Sequence, residues 1–422
     1  MADEEQLDIR NAAGKPPEEA LFFYQGESEV VAPGVFFFPK MGTSTVFACD
    51  DRLVVVDTSP RWVAPRTIEE LREKHSKAPV ATIIYTHGHI DHTSGAAGWR
   101  AEAEERGLPR PRIVAHEDLP NRFDRYKLLG EQNNFINRVQ FDLPDDVGMW
   151  DDSNWVYPDT TYRDALNLEV GGERFELYHA RGETDDETWV WCASRRVLCT
   201  GDLFVWSSPN AGNPYKVQRY AKDWADALER MAGLRPEVLL PGHGPVMQGE
   251  ELIQDALLST AQWLRTIHDQ VVEKMNEGKW LEDIIREMEY PAQLAKKPWL
   301  QPIYDHPEFI ARNVYRLYGG WYDGDPANIL PAHSEDVARE LMGAVESTII
   351  LDRARKLRED GDLQMACHLA DWVKKGEPEN REAWELFRDL FAERAKGERS
   401  LMARGAFHRA VRLAEAHLKE LA

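Results

Sequence analysis

The sequence predicts an α/β domain followed by an all-α one, and three observations carry that reading. From about Val30 to Val246, short apolar runs of strand length alternate with helical stretches. After Val246, helical patterning takes over almost throughout. The 422 residues also exceed one comfortable hydrophobic core, so two domains are expected, over residues 1–255 and 256–422.

The elements follow in order. Val35–Phe38, Ser44–Ala48 and Leu53–Val56 are successive strands, separated by Gly, Asp and Pro punctuation. Glu69–Lys74 reads as helix, and Thr82–Tyr85 and Ile113–Ala115 as further strands. Residues 142–164, with Asp145, Asp146, Asp151, Asp152 and Pro158, read as a long irregular surface loop. Strands return at Phe175–His179, Thr188–Cys192, Val197–Cys199 and Glu237–Leu240. In the tail, Val337, Leu341, Ala344, Thr348, Leu351 and Leu357 approximate one helical stripe. Gly361, Gly376 with Pro378, and Gly397 are stops between further amphipathic helices. One is lined by Leu363, Ala366, Ala370 and Val373, the next by Leu386, Phe387, Leu390 and Phe391. The tail resembles stacked, tetratricopeptide-like helix pairs without a clean period. Their apolar face serves either as intramolecular core or as a subunit interface.

Composition excludes several classes. The formal charge of −22, from 51 basic and 73 acidic residues, leaves no basic stripe for nucleic acid. The acidic start, Met1–Gln6, lacks a signal-peptide layout, and no apolar run approaches membrane-spanning length. Cys49, Cys192, Cys199 and Cys367 form no C-x-x-C pair and read as reduced thiols, so a cytoplasmic protein is expected. Cys192 and Cys199 fall on adjacent strands, where a disulfide is the less expected reading.

The chemistry concentrates in Tyr85-Thr86-His87-Gly88-His89-Ile90-Asp91-His92, on a strand-to-helix loop. Residues two apart in extended chain point the same way, so His87 and His89 can grip one cation. The turn that follows swings Asp91 and His92 towards a second. Imidazole with carboxylate suits zinc, with manganese or iron as alternatives. Further ligand-type residues stand at strand ends: Asp202 in Gly201-Asp202, His243 in Gly242-His243-Gly244, and the segment His179-Ala180-Arg181-Gly182-Glu183-Thr184. A carboxylate at Asp202 can bridge two cations around a nucleophilic hydroxide of pKa about 7.

These motifs, with Asp57 in Val54-Val55-Val56-Asp57-Thr58, resemble the metallo-β-lactamase fold superfamily. The resemblance implies an αββα sandwich and two divalent cations. His87, His89 and Glu183 would hold one, Asp91, His92 and His243 the other, and Asp202 would bridge them. The superfamily usually has histidine where Glu183 stands, and His179 is the alternative ligand from that loop. A third carboxylate would make the centre a weaker Lewis acid and favour harder cations beside zinc.

A glutamate there is typical of the alkyl sulfatase branch. Asn313 to Asn328, ending Trp321-Tyr322-Asp323-Gly324-Asp325-Pro326-Ala327-Asn328, resembles that branch's helical dimerisation domain. The resemblance covers residues about 25 to 420, without the branch's C-terminal sterol-carrier-like domain. It implies a homodimer or higher homo-oligomer, and a sulfate group held by Asn213, Tyr215 and Arg219. Arg219 has a second reading, capping the helix that starts near Asp223. The branch commonly has a second glutamate where this chain has Asp202. The loop around Asn121–Tyr126, with Asn133, Asn134 and Asn137, either shapes the pocket or is domain surface. The leading expectation is hydrolysis of an anionic or amphiphilic small molecule, an alkyl sulfate ester, with Asp91 and Asp202 as catalytic carboxylates. Hydrolysis of a carboxylic ester, lactone or activated aryl ether is the alternative. A helical scaffold with a structural metal site comes last.

Overall fold

The computed structural model describes residues 21–421, apart from the side chain of Asn154. The acidic segment Met1–Gln6 lies outside them. Packing divides the chain into residues up to Asn133 with Gly148–Gly319, and Asn134–Val147 with Gly320–Ala422. The expected division at 255/256 marks the change from strands to helices, whereas the change of core comes at Gly319/Gly320. The reason is burial. Helices Glu250–Asn276 and Pro307–Tyr318 place Ile253, Leu257, Leu264, Ile310 and Val314 in one apolar cluster with Trp189, Leu198 and Leu239 of the strands.

Two sheets form the first unit. One has seven strands in sequence order: β1 (Glu29–Ala32), β2 (Val35–Phe38), β3 (Ser44–Cys49), β4 (Arg52–Val56), β5 (Val80–Ile84), β6 (Arg112–His116) and β7 (Thr160–Tyr162). The other contains β8 (Ala165–Val170), β9 (Glu173–Ala180), β10 (Glu187–Cys192), β11 (Val197–Val205), β12 (Val238–His243) and β13 (Met247–Gln248), ordered 13-12-11-10-9-8.

Alternation along the strands makes the layers. In β4, Val54 and Val56 enter the core between the sheets, while Leu53 and Val55 face the helices Ala64–Lys74 and Ala96–Glu105 through Ile68, Leu71 and Trp99. In β10, Val190 and Cys192 point inward, and Trp189 and Trp191 pack outward against Trp224 and Leu228 of helix Ala221–Gly233. The result is the αββα sandwich. Cys49, Cys192 and Cys199 all lie in the layer between the sheets, and the four cysteines are free and buried. Register explains the absence of a disulfide: Cys192 pairs with Val197, and Cys199 with Val190.

The expected strands coincide with β2 to β6 and β9 to β12, and the irregular stretch 142–164 includes the short β7. β4 to β7 run parallel, as do β11 and β12. Asp57 and Thr86 leave the carboxyl ends of β4 and β5, Asp202 lies in the second half of β11, and His243 ends β12. Such ends are where open α/β sheets bind ligands. Among the described residues no helix is long and apolar enough to cross a membrane.

The second unit contains helices Ser334–Ala344, Ser347–Glu359, Leu363–Gly376, Arg381–Gly397 and Leu401–Glu420. Leu351, Ala354, Ala366, Ala370, Val373, Leu386, Phe387, Leu390 and Ala414 form its core. Asp362, Asn380 and Ser400 cap three of these helices by accepting from the amides of Met365, Ala383 and Ala403. The expected stripe from Val337 to Leu357 is broken at Val345–Glu346. Leu351 and Leu357 are buried, whereas Val337 and Leu341 are exposed.

A buried ion pair anchors the chain just before the active loops. Glu70 accepts from the Ser28 amide at 2.6 Å and pairs with Lys40 at 2.9 Å. Burial opposes ionisation of Glu70, but Ser28 and Lys40 outweigh it and hold the carboxyl at about 2. Its folded pKa is therefore depressed, and its stabilisation is present above the unfolded value and lost as pH falls towards 2. We predict that Glu70→Gln lowers unfolding free energy by about 2 kcal/mol at pH 7 in urea titrations. The difference from wild type should shrink as the pH is taken below 4, the ordinary carboxylate range.

Candidate metal centre

Asp57 follows β4 with φ of +57°. Its carboxylate accepts from the Thr86 amide and hydroxyl, each at 2.7 Å, and meets Nδ1 of His92 at 2.8 Å. His92 is thereby fixed with Nε2 turned inward, where this buried nitrogen has no hydrogen-bond partner among the described residues. Thr86 Oγ1 also lies 3.0 Å from Nδ1 of His87, leaving His87 Nε2 beside Nδ1 of His89 at 2.9 Å.

Around these nitrogens the carboxylates gather. His92 Nε2 lies 3.3 Å from Asp202 and 3.7 Å from Asp91. His243 Nε2 lies 3.3 Å from Asp91 and 3.6 Å from Asp202, and His87 Nε2 lies 3.7 Å from Asp202. Three groups result, each with ligand atoms within 4.8 Å of one another: His87, His92, Asp202; Asp91, His92, His243; and His89, Glu183, Asp202. All seven side chains expected as ligands fall in them. His179 falls in none; its ring stacks on His116 at 3.7 Å, and Nδ1 meets the Glu187 carbonyl at 3.0 Å.

The electrostatics fit divalent cations. Burial pushes His92 and His243 towards the neutral form, yet Asp202 and Asp91 draw both strongly upward, His243 to about 10. The carboxylates thus demand positive charge where cations would supply it. His87 and His89 are held well below the usual histidine range, first by burial and then by neighbouring positive groups. They are neutral at pH 7, the form that donates a lone pair. One buried oxygen of Asp202 also lacks a hydrogen-bond partner among the described residues.

Two glycines permit this convergence. A Cβ on Gly242 would lie 2.0 Å from Oδ1 of Asp202. One on Gly42, where φ is +63°, would lie 2.0 Å from the Asp91 carbonyl oxygen.

The substrate-binding candidates separate. Arg219 is buried, and its Nη1 donates to Glu183 Oε1 and, at 2.6 Å, to the Asn210 carbonyl. Asn210 Nδ2 donates to the same Glu183 oxygen. Burial pushes the Glu183 carboxyl up against the pull of Arg219, and Asp202 adds to the rise, to about 7. Asn213 is buried and accepts from the Tyr215 amide at 2.9 Å; burial pushes the half-buried Tyr215 hydroxyl up to about 12. Asn313 pins this loop by donating to the carbonyls of Ala211 and Arg219, both at 2.8 Å, and Asp305 accepts from the Gly212 amide at 2.8 Å.

Three neighbours were not singled out from sequence. Glu187 is fully buried with neither carboxylate oxygen hydrogen-bonded among the described residues. Burial and then Asp202 hold it well above the carboxylate range, so it is a neutral acid at pH 7. Its only signal was a glutamate at the edge of an apolar strand. Tyr304 stacks on Phe22 at 4.9 Å, and Phe22 lies 5.5 Å from His243. Lys216 stands over Trp150, 5.8 Å from the ring centroid.

We predict that Glu183→Ala loses one of two bound cations, measured by metal analysis after dialysis, whereas His179→Ala retains both. The reverse result would exchange their roles.

Residues 38–243 match the metallo-beta-lactamase superfamily, and residues 281–416 match alkyl sulfatase dimerisation. A linear primary-alkylsulfatase of Pseudomonas sp. is 26% identical over 359 residues, covering 79% of this chain and 66% of that protein. The alkyl/aryl-sulfatase BDS1 of Saccharomyces cerevisiae is 24% identical, over 82% of this chain and 57% of its own length. The chain thus spans less than two thirds of these curated relatives. The stereoselective inverting sec-alkylsulfatase Pisa1 from Pseudomonas sp. superposes with a TM-score of 0.83 at 22% identity, covering 94% of this chain and 67% of that one. The chain is thus similar to the metallo-β-lactamase superfamily over residues 38–243 and to the alkyl sulfatase dimerisation family over residues 281–416, in that order.

Proposed function

We propose that this protein is a metal-dependent hydrolase of sulfate monoesters on alkyl chains. The observation that carries the reading is Glu183, a carboxylate at the centre beside His89 and Asp202, clamped by Arg219 and Asn210. The relatives named as alkylsulfatases support the substrate class.

His87, His89, Glu183 and Asp202 are the proposed ligands of one cation, and Asp91, His92, His243 and Asp202 of the other. Zinc is the proposed metal, since each half offers two imidazoles and two carboxylates, a donor set that zinc accepts. Such cations, when bound, polarise the substrate and lower the pKa of an attacking water. Asp91 and Asp202 would orient that water and shuttle its proton, while Asp57 keeps His92 in the tautomer that presents Nε2. Arg219 balances the charge of Glu183, and Asn213 and Tyr215 are proposed neutral contacts to the substrate. A cytoplasmic location is supported by four free, buried thiols.

Dodecyl sulfate mixed with zinc-loaded protein should release inorganic sulfate, and a chelator should abolish release. Asp202→Asn should lower kcat by about 100-fold or more in the same assay. Turnover of a carboxylic ester, lactone or aryl ether without any sulfate release would overturn the reading.

A homodimer is proposed as well, supported by the dimerisation match over residues 281–416. Val337 and Leu341 on helix Ser334–Ala344, Val345 at its C-terminal cap and Ile349 on the next helix are 37, 43, 40 and 59% exposed apolar residues. Light scattering after size exclusion should report a dimer for wild type. Leu341→Glu should shift it towards monomer; an unchanged mass would place the contact elsewhere.

A further inference from the structure

Arg219 is the obvious candidate to attract a sulfate, but its charge is already engaged. It is buried at 3% exposure, bonded to Glu183 and to the Asn210 carbonyl, so the Arg219–Glu183 pair offers an incoming anion no net attraction. The chain as a whole carries −22, and Asp91, Asp202 and Glu183 would offset most of the charge of two divalent cations at the centre. An anionic substrate therefore needs another cation close to the metals.

Lys216 stands in that place. Rings form a continuous wall leading to it: His89 lies 6.5 Å from Tyr126, Tyr126 lies 4.5 Å from Trp150, and the Lys216 ammonium lies 5.8 Å from Trp150. Trp155 stacks on Tyr126 at 5.5 Å and thickens the wall. Burial and then Arg219 push the Lys216 ammonium down to about 7, while Glu183 and Asp91 pull it upward, so an anion beside it would favour its charged form. Its backbone is held by the loop that Asn313 and Asp305 pin, with Arg316 donating to the Lys216 carbonyl at 3.4 Å.

We propose that Lys216 is the residue that reads the substrate's negative charge, gripping a sulfate head between the metal carboxylates and an aromatic wall that takes the apolar tail. This rests on the sulfate-ester reading given above and adds the determinant of its specificity. A long, flexible ammonium suits the task, since it can follow a tetrahedral anion without a fixed fork geometry.

The test compares zinc-loaded wild type, Lys216→Met and Lys216→Arg. For Lys216→Met, KM for dodecyl sulfate should rise about 10- to 100-fold, with a far smaller fall in kcat. The calorimetric Kd for inorganic sulfate should weaken by a similar factor, zinc content should stay at the wild-type level, and Lys216→Arg should recover most of the affinity. A KM and sulfate Kd within about twofold of wild type would overturn the proposal. So would a loss of zinc accompanying the effect, which would make Lys216 a stabiliser of the centre. Wild type that releases no sulfate from any ester would defeat the proposed function instead. Lys216 would then be judged by sulfate calorimetry alone: tighter binding to wild type than to Lys216→Met supports it, and equal or absent binding overturns it.

Discussion

The geometry of the centre depends on Asp57, a buried carboxylate outside the ligand set. Its two oxygens hold Thr86, where the histidine-rich loop begins, and His92, where that loop ends. With both ends tied to one rigid strand terminus, His87, His89 and Asp91 between them have little room to move. Burial raises the cost of ionising Asp57, and His92 and Thr86 pull it back towards the charged form. Such a network is worth most when every member is present, because each group left alone would be a buried polar atom without a partner.

Charge is the second constraint. Three carboxylates, Asp91, Glu183 and Asp202, converge at the centre, and Glu183 is matched by a guanidinium from a loop 36 residues further on. That loop is in turn fastened to helix Pro307–Tyr318 through Asn313 and to the preceding segment through Asp305. The fold therefore recruits helices beyond the strand-rich region to stabilise a charge at the centre. This is also why the packing unit runs on to Gly319 and does not stop where the strands do.

Much of this was legible in the sequence because it follows from local rules. Short apolar runs bounded by Gly, Asp and Pro gave the interior strands, and ligand-type residues near strand ends gave His87, His89, Asp91, His92, Asp202 and His243 as a set. Three things were not legible. The partnership of Arg219 with Glu183 depends on how two loops meet in space, and a basic residue near a helix start reads equally well as a cap. The true end of the first core was hidden because an amphipathic helix shows the same stripe whichever core it serves. The Val337–Leu357 stripe continued in phase through the break at Val345–Glu346, so periodicity alone joined two helices. Glu187 was invisible for a different reason: a charged residue beside Thr188-Trp189-Val190-Trp191 looks like a solvated strand edge.

The thiols enclosed between the two sheets give the sandwich a built-in gauge of its own opening. Cys49, Cys192 and Cys199 are walled in by both sheets, and burial pushes each of them away from the thiolate, Cys49 to about 12. A thiolate is the form that reacts with alkylating reagents and oxidants. While the sheets stay together, these sulfurs are doubly protected, by sterics and by their retained protons. Their labelling rate therefore follows how often the layers part, and oxidative damage to them becomes a record of unfolding more than of exposure to oxidant.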